Sequence, residues 1–317
     1  MKIAIGTYGV TKALKDGRVL SNRLELEHIQ VDPITLALRR MVRGLEYDIS
    51  EMAFTTYLCA RAFNKPFTAI PVFVFRNFAH GAMVYNVKSG IKSPKDLEGR
   101  RVGVNRGYTV TTGLWARGIL QTEYGVDLNK ITWVLTGDEH VEEYQLPPNV
   151  VPVSQGEDAT ALLRGKDMEE LLLSGKVDAA VGRVSVDSPD VQPLIPDAWN
   201  AAVEHFRKTG IYPINHGVVI QNSLLEAEPW VAEEVFNLFK AAKTAYLAHL
   251  DADKDLSPQD QAVLPLRDVV GRDPFLYGIN ANRKTLETII QFAADQNIIP
   301  WKVSVEEVFA PNTLKLE

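Results

Sequence analysis

Two histidines stand in matching settings, Phe78-Ala79-His80-Gly81-Ala82-Met83-Val84-Tyr85 and Pro213-Ile214-Asn215-His216-Gly217-Val218-Val219-Ile220. An imidazole, with an ordinary pKa of ~6.5, can give or take a proton near neutrality, which suits it to general acid-base work. A short apolar run beside Gly or Pro reads as a buried strand, so each histidine is expected at a strand mouth. If both strands carry the chain between two lobes, His80 and His216 face one cleft as a catalytic pair. The bland reading of each is a core histidine bonded to backbone.

Cations and hydroxyls that could hold an anionic substrate lie nearby in the pattern. Arg76, four residues before His80, Arg183 after the run Ala179-Ala180-Val181-Gly182, and Arg106 are guanidinium candidates, and a guanidinium grips a carboxylate through two parallel hydrogen bonds where lysine offers a point charge. Thr109, Thr111 and Thr112 precede or open a helical stretch, where free backbone N–H groups and hydroxyls form an anion site. Thr55, with Thr56 beside it, repeats this arrangement after the strand around Glu51. Thr7 and Tyr8 follow the first strand and reach the same crevice. For these residues capping, turn formation or a surface ion pair is the structural alternative.

Other chemistries find little support. The run Asp138-Glu139-His140-Val141-Glu142-Glu143 reads as a solvated loop, because its spacing matches no recognised metal site. His28, His205 and His249 form no paired metal spacing. No nucleophile elbow, Walker loop or Rossmann glycine motif is present, so neither a nucleotide cofactor nor a metal is expected.

The elements that would position these groups alternate along the chain. Strands are expected at Ile3 to Ile5, Leu24 to Ile29, Asp48 to Met52 and Phe67 to Phe75, with helices from Pro33 to about Arg43, capped by Asp32, and from Thr55 to Phe63. After His80 come strands at Ala82 to Tyr85, Arg101 to Val104, Ile131 to Leu135 and Ala179 to Val181, with helices near Thr111 to Glu123, Met168 to Leu173 and Trp199 to Lys208. Ser188 to Pro196 reads as loop. Beyond His216 the chain turns mostly helical, with Pro229 opening a long amphipathic helix to Leu250 and another helix from Asn282 to Gln296. This is an α/β pattern. It predicts two α/β lobes joined by two hinge crossings at His80 and His216: residues 1–80 with 216–317, and an inserted lobe 81–215. Ligands would bind in the crevice between them.

Composition limits the partners. The 317 residues are 46% hydrophobic and 23% charged with a net charge of −6, an ordinary globular composition without the basic surface nucleic-acid binding needs. No run approaches the ~18 apolar residues of a membrane span, and the N-terminus enters a strand directly, with no secretory signal pattern. One cysteine, Cys59, cannot form an internal disulfide. The expectation is a cytoplasmic protein with no nucleic-acid or membrane partner. The exposed helices of the C-terminal third are expected to supply a homo-oligomer surface.

Several stretches together resemble the 4,5-dihydroxyphthalate decarboxylases, which look like type 2 periplasmic binding proteins that gained catalysis. They are Ser50-Glu51-Met52-Ala53-Phe54-Thr55-Thr56-Tyr57, Ala69-Ile70-Pro71-Val72-Phe73, Arg76 with His80, Asp96 to Val104, Trp115-Ala116-Arg117-Gly118-Ile119-Leu120, and Gly210 to His216. Ala79 and Gly81 depart from the Arg and Ser of many relatives. The resemblance implies a two-lobed periplasmic-binding-protein-like fold and cofactor-independent decarboxylation of an aromatic di-acid, in which the ring carbon is protonated before CO2 leaves. On this reading His80 and His216 share the acid and base roles, Arg76 and Arg183 hold carboxylates, and the Thr and Tyr hydroxyls orient the ring. The competing reading is a non-catalytic binding protein serving an ABC-type transporter for a small aromatic or sulfonated anion.

Overall fold

A computed structural model describes residues 1–153, 166–252 and 254–317. Its strands are β1 (Lys2–Ala4), β2 (Glu27–His28), β3 (Ile49–Ala53), β4 (Phe67–Arg76), β5 (Met83–Asn86), β6 (Arg101–Val104), β7 (Thr132–Leu135), β8 (Val150–Pro152), β9 (Ala179–Val181), β10 (Val191–Pro193) and β11 (Ile214–Gln221). Its helices are α1 (Gly9–Lys15), α2 (Thr35–Gly44), α3 (Phe54–Ala62), α4 (Thr111–Tyr124), α5 (Lys166–Leu173), α6 (Ala198–Thr209), α7 (Asn222–Ala227), α8 (Val231–Ala252), α9 (Pro258–Gln261), α10 (Leu264–Val270) and α11 (Arg283–Asp295). None of the helices among the described residues is long and apolar enough to cross a membrane.

The chain divides into two compact units, Met1–Asn77 with Gly210–Ile290 and Trp301–Glu317, and Phe78–Thr209 with Gln291–Pro300. Gln291–Pro300, which the sequence reading leaves with the first lobe, thus belongs to the second unit.

The first unit is built on a five-stranded sheet in the order β2-β1-β3-β11-β4. Its first three strands are parallel, and β11 runs antiparallel to both β3 and β4. Ile3, Ile49, Ile70, Val72, Val218 and Ile220 supply its core, and α8 packs on them through Val231, Val235, Phe236, Phe239 and Ala242. Those helical positions recur at three- and four-residue intervals, so one face of α8 carries the apolar load. The central strand β3 is buried along its whole length. A strand flanked on both sides normally reads as continuously apolar, which makes Glu51 in its middle conspicuous.

The second unit holds a six-stranded sheet in the order β10-β5-β9-β6-β7-β8. β9, β6, β7 and β8 are parallel, and β5 runs antiparallel to β9 and β10. Its interior is tied by Arg117 of α4, whose side chain is fully buried. The Arg117 Nε donates to Gln296 Oε1 at 2.7 Å and Nη2 to the Tyr108 carbonyl at 2.7 Å, with the Tyr108 ring centroid 3.9 Å away. Burial pulls the guanidinium below its ordinary pKa, and these bonds and the aromatic face compensate the charge.

Next to Arg117 in α4, Gly118 lies against Phe292. A β-carbon there would come within 2.1 Å of the phenyl ring. Gly118→Ala is therefore expected to destabilise the second unit by ~1–3 kcal/mol through overpacking, despite alanine's better helix propensity. A lowered thermal or urea midpoint would show it, and an unchanged or raised one would refute it.

Several expectations are corrected. Helix α2 begins at Thr35 with Ile34 at its cap, so Asp32 does not cap it. β2 retains only two residues of the Leu24 to Ile29 stretch. Val191–Pro193, read as loop, pairs as an edge strand with β5, a position that tolerates proline because one side needs no ladder donor. His216 is not at a strand mouth either: it is the third residue of β11, whereas His80 lies in the turn before β5. The two His-Gly echoes thus occupy different structural settings.

Candidate active site

In the first unit, His216 is held by a buried carboxylate. Its Nδ1 lies 2.5 Å from Glu51 Oε1. The same carboxylate accepts the Tyr8 hydroxyl on Oε1 at 2.7 Å and the Gly6 backbone N–H on Oε2 at 2.7 Å. Glu51 has no solvent exposure, and the His216 side chain is 15% exposed. A carboxylate on Nδ1 fixes the tautomer with the proton on that nitrogen and leaves Nε2 as the reactive one. The Phe75 ring lies 5.4 Å from the imidazole and the Tyr8 ring stacks on Phe75 at 5.8 Å, so an aromatic wall flanks the group.

The local backbone explains how this side chain is aimed. β11 pairs His216 with Ala53 of β3 and with Phe75 of β4, and its register against β4 shifts on both sides of His216 and again after Gly217. Such bulges re-aim side chains and are frequent beside active sites. Gly217 sits at a close approach: a β-carbon there would meet the Val72 carbonyl at 3.3 Å and the Phe54 ring at 3.4 Å. The His-Gly step thus has a local cause, with the glycine letting the chains close behind the histidine.

Three other first-unit candidates differ in their surroundings. Thr7 is exposed next to Tyr8. Thr55 is fully buried in the first turn of α3, a packing position. Arg76 is 7% exposed. Its Nη1 donates to Asn282 Oδ1 at 2.7 Å and Nη2 to the Tyr212 carbonyl at 2.5 Å, with the Tyr212 ring 4.6 Å away. Burial pulls its pKa down to about 10. The fork expected to hold a carboxylate faces the unit's own interior, and Arg76 acts as an internal tie.

The second unit gathers cations at the carboxyl ends of neighbouring parallel strands, the edge where open α/β sheets bind ligands. Arg106 follows β6 and Arg183 follows β9, both exposed. Both have left-handed backbones, at φ 74° and 41°, uncommon for residues with a β-carbon. The two loops are stitched together: Asn105 Nδ2 donates to the Arg183 carbonyl at 3.1 Å, and the Arg106 N–H donates to Thr136 Oγ1 at 3.0 Å. Burial and the Arg183 charge lower the Arg106 pKa, so two like charges are kept close. Neither forms an ion pair with a carboxylate among the described residues. Thr112, in the first turn of α4, lies near Gly182, the residue before Arg183: a β-carbon on Gly182 would stand 3.7 Å from its hydroxyl.

Thr109 and Thr111 are turned away. The Thr109 hydroxyl donates to Glu139 Oε2 at 2.5 Å and its N–H to the same oxygen at 3.1 Å, while the Tyr108 N–H donates to Oε1. Glu139, expected in a solvated loop, is a half-buried brace whose pKa is raised by desolvation against these hydrogen bonds. Thr111 is 2% exposed. Of the three threonines, Thr112 is the one whose hydroxyl lies near Gly182.

His80 belongs to a separate cluster. Its side chain is 2% exposed, Nε2 lies 3.0 Å from Glu123 Oε2, and Nδ1 is buried without a hydrogen-bond partner. His205 Nδ1 lies 3.1 Å from the other oxygen of Glu123, and the two imidazole rings are 5.6 Å apart. Burial acts to raise the Glu123 carboxyl, but the bonds from His205 and His80 outweigh it and hold the group at about 2. The pairing of His80 with His216 as acid and base is corrected on this ground, because one nitrogen of His80 is committed to Glu123 and the other is sealed. His205 forms no paired metal spacing with His28 or His249 in the sequence; residues 80, 123 and 205 are far apart along the chain and are brought together by the fold.

Two candidate residues that the sequence reading did not single out are Glu51 and Glu123. The signal for Glu51 was its position mid-strand among residues that must be buried, where glutamate is rarely found unless paired. For Glu123 it was a carboxylate at the carboxyl end of a helix, against the helix dipole.

Comparisons with known proteins agree with the resemblance read from the sequence. The family described as NMT1/THI5 like matches residues 48–146. A protein named 4,5-dihydroxyphthalate decarboxylase from Comamonas testosteroni is 28% identical over 99% of this chain and 97% of its own. One of the same name from Pseudomonas putida is 29% identical over 65% of this chain and 81% of its own. Among solved structures, the periplasmic aliphatic sulphonate binding protein SsuA from Escherichia coli superposes with a TM-score of 0.55 at 13% identity, covering 99% of this chain and 98% of that one. The chain therefore resembles the 4,5-dihydroxyphthalate decarboxylases along nearly its whole length and has the fold of type 2 periplasmic binding proteins.

Proposed function

We propose that this protein is a carbon–carbon lyase that decarboxylates a hydroxylated aromatic di-acid, 4,5-dihydroxyphthalate being the first candidate, without an organic cofactor. The observation that carries the reading is the buried Glu51 carboxylate fixing His216 with Nε2 as its reactive nitrogen, in a chain whose near-full-length relative is named for that reaction.

Direct loss of CO2 from an aromatic ring would leave an sp2 carbanion that the π system does not stabilise. A hydroxyl para to the carboxylate avoids this. Its electron density moves to the ring carbon bearing the leaving group, a proton adds there, the C–CO2 bond breaks, and its electron pair restores the ring. Each turnover consumes one proton and releases CO2 and 3,4-dihydroxybenzoate. His216 Nε2 is assigned the proton delivered to carbon, and Glu51 stabilises the imidazole in its charged form. Within the second unit, Arg106 and Arg183 are assigned as anion-binding groups, with Thr112 as a candidate hydroxyl.

Incubating the purified protein with 4,5-dihydroxyphthalate tests the reading. CO2 and 3,4-dihydroxybenzoate should accumulate catalytically, whereas quantitative recovery of unaltered ligand would replace it with a non-catalytic anion-binding role. Arg183→Gln should raise KM by ~10- to 100-fold, the worth of a hydrogen bond to a charged group, without lowering the melting temperature, since the side chain is exposed. An unchanged KM would remove Arg183 from substrate recognition.

A further inference from the structure

We propose that His80, Glu123 and His205 form a binding site for a divalent first-row transition metal, with Zn2+ as the best-fitting ion. The inference does not depend on the decarboxylase reading, whose proton-transfer residues lie in the other unit. The ligand atoms, His80 Nε2, a Glu123 carboxylate oxygen and His205 Nδ1, all lie within 4.8 Å of one another. Each imidazole nitrogen is 3.0 or 3.1 Å from its own carboxylate oxygen. Ligands bonded to one zinc at about 2.0–2.2 Å stand roughly 3.0–3.5 Å apart, so little movement separates the hydrogen-bonded cluster from a coordinated one. Two imidazoles and one carboxylate leave a position open, and nitrogen donors disfavour Ca2+ and Mg2+.

Three features of the surroundings support a cation here. Glu123 is the penultimate residue of α4, where the partial negative charge of the helix end opposes a carboxylate. A positive charge at this point relieves both. The three ligands come from three elements, the turn before β5, the end of α4 and the body of α6, so the cluster is held by the unit's tertiary structure. Access is graded as well: His80 is 2% exposed at the bottom, while Glu123 and His205 are 21% and 20% exposed.

The full-length protein, freed of metal by dialysis against a chelator, would be titrated with Co2+ and followed by visible absorption. Ligand-field bands saturating at one equivalent, and lost on adding Zn2+, are expected. His205→Ala removes a half-exposed ligand and should weaken Co2+ binding at least ~10-fold, since even outer-sphere partners cost that much. Glu123→Gln keeps the side chain's size but gives up one of its two acceptor oxygens, so a folded protein with a cooperative melt and a weakened Co2+ signal is expected of it. No ligand-field bands in the wild-type protein, or equal Co2+ affinity in His205→Ala, would overturn the proposal.

Discussion

His216→Ala should lower the rate of CO2 release by ~100- to 10,000-fold, the usual contribution of a positioned acid or base, while leaving the fold intact. The side chain is partly exposed and belongs to a strand whose ladder is made by backbone, so its removal costs little packing. The Glu51 carboxylate loses one of three donors and keeps the Gly6 N–H and Tyr8 hydroxyl. Stopped assays with carboxyl-labelled substrate, alongside a thermal melt, separate chemistry from stability. A variant that melts like the wild type and releases CO2 at the wild-type rate would end the assignment of His216.

The second large effect is expected for Glu51→Gln, where a near-isosteric change strikes both stability and rate. Three donors point at the two carboxylate oxygens: the Gly6 N–H at Oε2, and the Tyr8 hydroxyl and His216 Nδ1 at Oε1. A glutamine has one carbonyl. Whichever way its amide is turned, its NH2 group faces at least one of those donors in a fully buried place, at a cost of about 1–3 kcal/mol. The imidazole also loses the acceptor that selects its tautomer and stabilises its charged form, and a fall in kcat of ~100- to 10,000-fold should accompany the loss. Urea unfolding gives the first quantity and steady-state kinetics the second. Full activity in Glu51→Gln would mean that the carboxylate is a structural brace only. A fall in rate far beyond that explained by the fraction folded would establish it as a positioning residue.

Much of the architecture was legible because it rests on local patterns. The parallel strands β6, β7 and β9 are short apolar runs, α8 is amphipathic over several turns, α4 is a long run buried almost continuously from Gly113 to Leu120, and each lay within a few residues of its expected place. The errors fall where longer-range pairing decides. β10 exists because β5 offers it an edge, and nothing in Ser188 to Pro196 announces that neighbour.

The site was legible in part for the same reason. His216, Tyr8, Arg106, Arg183 and Thr112 could be picked by residue type and by position after strands. Their grouping could not, because Glu51 meets His216 across 165 residues of sequence. His80 shows the converse. Its sequence setting copies that of His216, but the two turns of chain lead into different neighbours, so one imidazole meets a buried strand carboxylate and the other a helix-end glutamate and a second histidine. Arg76 looked like a ligand clamp because a guanidinium before a histidine is chemically suggestive, and only the placement of Asn282 and Tyr212 reveals its internal use.

The discontinuity of the second unit bears on how the polypeptide matures during synthesis. Residues 78–209 leave the ribosome long before residues 291–300, but Phe292 packs edge-on against Trp115 with ring centroids 5.7 Å apart, and Gln296 supplies the acceptor for buried Arg117. Until those ten residues arrive, the nascent second unit holds a guanidinium in its interior without its side-chain partner and an aromatic surface without its cover, a state prone to association. The second unit is therefore completed only once residues 291–300 have been made, although the rest of it is encoded by residues 78–209.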